Sequence, residues 1–152
     1  MKEVLLFLIQ GIPEMTGVIA LCFAIARVQI KWTQTLLAGV GAVILSYTIQ
    51  SLSFFFGFHT LLLLFLIMFY VAKTAKISII KSFFVTSITT LILGLLEFST
   101  NSLYFGISNI NPQDITSDNV LWTFLGMPQA IIILLLAFSV SRIFKPVEKE
   151  SL

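Results

Sequence analysis

The chain has 152 residues, of which 58% are apolar and only 11% charged, nine Lys or Arg against seven Asp or Glu. A soluble domain carries about 25% charge and about 45–50% apolar side chains, so these charges are too few to coat a water-facing fold of this size. A net charge of +2 without a basic patch excludes nucleic-acid binding, and a single cysteine, Cys22, excludes a disulfide framework or a thiolate metal cluster. What remains, at a mean hydropathy of +1.04, is an integral membrane protein.

A helix crosses a hydrocarbon core of ~30 Å with about 20 mostly apolar residues. Residues 4–26, 32–56, 82–105 and 120–143 meet that length, and 58–72 is shorter but uncharged. Runs such as Leu61-Leu62-Leu63-Leu64-Phe65 do not alternate, which argues against barrel strands. The expectation is a single all-α domain of five transmembrane helices, the third the weakest. The first stretch reads as a retained span and not a cleaved leader, because Pro13 and Glu14 interrupt its apolar run and Arg27 follows it.

Cations set the expected orientation. Arg27 and Lys31 separate spans one and two. Lys73, Lys76 and Lys81 separate spans three and four, and Arg142, Lys145 and Lys149 follow span five. The other side holds Lys2, a cation-free turn near Gly57, and a loop over 106–119 whose charges are Asp114 and Asp118. This places the N-terminus outside and the C-terminus inside a cell membrane. Trp32 fits an inner aromatic belt, and Tyr104 and Trp122 an outer one.

Spans one and five share an element. Gly11-Ile12-Pro13-Glu14 parallels Gly126-Met127-Pro128-Gln129, and an arginine follows each proline by fourteen positions, Arg27 and Arg142. Span three follows loosely through Gly57-Phe58-His59-Thr60 and Lys73. Odd-numbered spans share one direction, so a parallel repeat is geometrically allowed, although chance matching in an apolar alphabet explains part of it. Each proline removes a backbone hydrogen bond and should kink its helix. Gly11 and Gly126 should admit close neighbours, with Gly39, Gly41 and Ala42 offering one such surface.

Depth organises the polar residues. At ~1.5 Å per residue, Glu14 lies about 20 Å above Arg27, Gln129 the same above Arg142, and His59 and Glu97 at about 21 and 24 Å. Gln50, Thr100 and Asn101 lie somewhat higher. Ionisable groups within a span cost at least ~2.5–3.5 kcal/mol by insertion scales. The expectation is an outward-facing polar pocket rimmed by Glu14, His59, Glu97 and Gln129, with Gln50 near it. Structural readings stay open beside the functional one: Glu14 as glue to a carbonyl that Pro128 frees, His59 as a helix cap, Glu97 as its packing partner, Gln129 as an interhelical hydrogen-bonding residue. Cys22 reads as a core residue. No metal-ligand spacing, Ser-His-Asp arrangement or phosphate-binding loop is present, so neither catalysis, a metal nor a cofactor is expected.

On Ile12-Pro13-Glu14, Gly57-Phe58-His59-Thr60, Leu96-Glu97 and Gly126-Met127-Pro128-Gln129, the chain resembles small membrane regions of Gram-positive bacteria. These stand alone or precede the cytoplasmic domains of AgrC-like or Spo0B-type sensor histidine kinases. The resemblance implies signal input. With no kinase domain within residues 1–152, the output is expected to pass to a separate sensor kinase or other membrane partner. A small solute transporter or proton-coupled permease is the alternative, and a purely structural subunit a third. A homo-oligomer is compatible with each, and membrane lipid is the common surrounding.

Overall fold

In a computed structural model, residues 2–51, 58–108 and 119–144 are described, the side chains of Glu3, Gln50, Ser51, residues 58–60, Ser108, Asn119, Leu121 and Trp122 excepted. Among the described residues all regular structure is helical: α1 (Lys2–Ile25), α2 (Trp32–Ser51), α3 (Phe58–Ala75), α4 (Ile79–Ser108) and α5 (Asn119–Ile143). Four of these are long and apolar enough to cross a membrane, in α1, α2, α4 and α5, while the described apolar part of α3, Leu61–Ala75, is shorter. A helix is the form that satisfies every backbone group within one segment when lipid offers no partners. Phe84, Leu91, Phe98, Phe124 and Leu135 lie on the outside, each more than half exposed. On a monomer in water such a surface would drive association, whereas towards acyl chains it is neutral. The chain is a helical membrane protein.

Helix ends depart modestly from the sequence expectation. α3 runs past Lys73 to Ala75 and α4 begins at Ile79, ahead of Lys81, because a Lys stem can lie along the helix while its ammonium reaches the interface; at its other end α4 extends to Ser108. The expected end of span two, 52–56, and the turn at Gly57 lie outside the described residues, as do Asp114, Asp118, Lys145 and Lys149. The prolines at 13 and 128 both sit inside continuous helices.

Two tight turns share one device. Arg27 adopts a left-handed conformation (φ 57°). Its amide donates to the Ala24 carbonyl at 3.1 Å, and the Val28 amide donates to Phe23 at 2.9 Å. That double closure is a Schellman cap, usually built on glycine. Lys76 repeats the conformation at the end of α3 (φ 52°), with the Ile77 amide donating to Ala72 at 3.2 Å. Val28 and Ile77 then pack against the core, completing the hydrophobic half of the motif.

α1 is the hub, packing most extensively on α5, next on α2, and also against α3 and α4. The α1–α2 hairpin is antiparallel: Phe7 meets Tyr47 with ring centroids 5.6 Å apart, Gly11 meets Val43, and Thr16 meets Gly39. A methyl placed on Gly39 would come within 2.9 Å of the Thr16 amide nitrogen, so this crossing needs a glycine. Gly41, by contrast, has nothing within 4 Å and does not serve as a packing surface. α1 and α5 are parallel. Gln10 lies against Gly126, Gly17 against Ile133, and the Arg27 guanidinium over the Phe144 ring at 5.1 Å, so the partners are 116 or 117 positions apart.

The core occupies the end of the bundle where Arg27, Lys31, Lys73, Lys76, Lys81 and Arg142 lie. There residues 16–24 of α1 are all buried, joined by Ile67, Val71, Val85, Ile133 and Ala137. The Cys22 thiol donates to Thr89 Oγ1 at 3.4 Å, and Ser82 Oγ donates to the Met68 carbonyl at 2.7 Å, tying α4 to α1 and α3.

Candidate functional site

The opposite half of the bundle is built differently. Residues 4–15 of α1 include no fully buried side chain among those described. Within this looser half, polar side chains from α1, α4 and α5 converge. The 115-residue spacing of the Gly-x-Pro elements nearly equals the structural offset between α1 and α5, so the two elements lie side by side at one level. Glu14 thereby meets Gln129, which donates a side-chain hydrogen bond to its carboxyl. A second hydrogen bond to Glu14 comes from Gln10, one turn earlier on its own helix. Gln129 is 5% exposed.

Gly126 makes room for Gln10. A side chain at 126 would occupy the space of the Gln10 amide, so the glycine of the second element serves the glutamine that precedes the first. Glu97, on α4, lies close enough to act electrostatically on the Glu14 carboxyl. Asn101, one turn further along α4, shares with Glu97 the wall of a cleft whose other sides are Gln10, Leu125, Gly126 and Gln129. The cleft holds about 20 Å³, close to what one water needs. On its outer side Glu97 is exposed and lines a wider, open groove of about 380 Å³ with Gly94, Phe98, Asn101, Ser102 and Phe105.

The structure therefore brings together Glu14, Glu97 and Gln129 of the sequence-derived candidates. His59 and Gln50 are not placed by it, since both side chains lie outside the described residues. α3 begins at Phe58, which puts position 59 at the polar-layer end of the bundle. Thr100 turns away, its hydroxyl donating to the Leu96 carbonyl of its own helix at 2.9 Å. Gln10 went unnoticed in the sequence, although a polar side chain one helical turn before Glu14 was its available signal.

Chemically, the layer offers two carboxyl groups and three amides. The described Lys and Arg residues lie at the other end of the bundle, apart from Lys2, which is about 12 Å of helix above Gln10 at 1.5 Å per residue. Among the described residues no three His, Cys, Asp or Glu side chains gather as a transition metal would need. No family model matches the chain, and comparison with curated proteins and with solved structures likewise finds no match.

Proposed function

We propose that the protein is a non-enzymatic, receptor-like or accessory signal-input module of the cell membrane, with its polar layer toward the outside and its output passed at the cationic end to a separate sensor kinase or other membrane partner. One observation carries this reading: polar side chains of three helices converge in the loosely packed half of the bundle and adjoin an open groove through Glu97. A ligand there shifts a two-state equilibrium only through differential affinity, and α1, which touches every other helix, is the element able to carry that bias to the far end. The packing of the cationic half supports input over transport. Between the polar layer and the cations, α1 is enclosed mostly by apolar side chains, the buried hydroxyls of Thr16, Thr86 and Thr89 being small exceptions, and the Ser82 hydroxyl and Cys22 thiol are committed to protein partners.

The test is a photo-crosslinker at Arg142 or Lys73 in the native host, combined with Glu14→Gln and Glu97→Gln at normal protein levels. Capture of a signalling protein whose output changes in both variants is the expected result. Unchanged output overturns the reading, and so does capture of an ATPase together with solute flux in proteoliposomes that Glu97→Gln abolishes.

A further inference from the structure

We infer that the cleft between α1, α4 and α5 binds one monovalent alkali cation of sodium size, held by the Glu97 carboxylate and the side-chain oxygens of Gln10, Asn101 and Gln129. The first ground is the donor set. The polar side chains that line the cleft are one carboxylate and three primary amides, drawn from three helices. Hard oxygens of this kind suit alkali or alkaline-earth ions and not the softer transition metals.

The second ground is that two of those amides are already anchored through hydrogen bonds to Glu14. Gln10 and Gln129 both give N–H groups to Glu14. An amide whose nitrogen is engaged presents its oxygen as the acceptor for a second partner, and that oxygen is what a cation requires. Glu14 thus orients the site from behind without lining it.

Size and charge narrow the occupant. A space of about 20 Å³ admits a single water-sized body, which excludes an organic ammonium group. A single carboxyl group lines the cleft, which suits a singly charged ion better than a divalent one. Glu97 lies within an apolar span, while six of the seven described cationic residues sit at the other end of the bundle. An ion at this position supplies the missing positive charge where lipid and apolar side chains supply none. Glu97 also borders the open groove on the outer face of α4.

Sodium binding stands apart from signal input, since either property can hold without the other. The experiment uses the full chain in detergent or nanodiscs at constant ionic strength, with choline replacing sodium. Expected is saturable binding of radioactive sodium at about one ion per chain, displaced by unlabelled sodium and not by choline. Glu97→Gln and Asn101→Ala should each weaken it about tenfold or more, as loss of a ligand or its support does in other metal sites. Thr100→Val, whose hydroxyl is turned onto its own helix, should leave it unchanged. Absence of saturable binding to the folded wild-type chain overturns the inference without recourse to any variant. Tighter one-to-one binding of calcium, or sodium binding that survives in Glu97→Gln, overturns it equally.

Discussion

The two halves of α1 invite comparison, because one helix lives in two environments. From Thr16 to Ala24 every side chain is buried, pressed by four neighbouring helices. From Val4 to Met15 none is, and there the hydrogen-bonding residues gather. Within lipid, apolar surface gives helices little reason to associate, so close packing and interhelical hydrogen bonds must do it. The cationic half supplies those, leaving the polar half free to carry side chains that a tight core would reject. Fold stability and site chemistry are separated along a single helix.

Substitutions at matched positions put that contrast to the test. The largest effect is expected for Gly39→Val, where even the first carbon meets the Thr16 backbone; a loss of about 3 kcal/mol, typical of strong overpacking, should appear in reversible unfolding from mixed micelles. Gly41→Val, two residues away in open space, should stay within about 0.5 kcal/mol. Equal losses at the two glycines would remove the assigned packing asymmetry. Ser82→Ala deletes a buried bond to the Met68 carbonyl and should cost about 1 kcal/mol in the same assay.

Lys76→Gly acts in the other direction. Relief of the left-handed conformation should stabilise the folded chain by up to about 1 kcal/mol, read as a higher unfolding midpoint. The smallest change in stability is expected at Gly126→Ala. The added methyl displaces the end of a flexible glutamine, so folding should shift by roughly 0.5 kcal/mol or less while the Gln10 bond to Glu14 is lost. Infrared difference spectra of the carboxyl stretch should register that loss. An unaltered carboxyl band would show that Gln10 does not hold Glu14.

Much of this architecture was readable in advance because lipid imposes simple rules. Apolar length marks the spans, and cations cluster at one end whichever way the chain faces. The meeting of Glu14 with Gln129 was encoded in equal spacing from Arg27 and Arg142, which works because α1 and α5 are parallel and almost in register. Gln10 was not readable in the same way. Its role depends on which helix lies across its face, and Gly126 declares that only once the helices are assembled. The inertness of Gly41 was hidden for the same reason: small residues permit an approach without saying from which side it comes.

Arg27 and Lys76 carry a consequence beyond their turns. Both reverse the chain and both bear a fixed positive charge, so the residue that turns a helical hairpin also adds a cation at its apex, the kind of group that biases which face of a bilayer a bend stays on. A glycine could make the same bend, yet it would leave that bend unmoored. The α1–α2 and α3–α4 hairpins therefore each carry a cation at the apex.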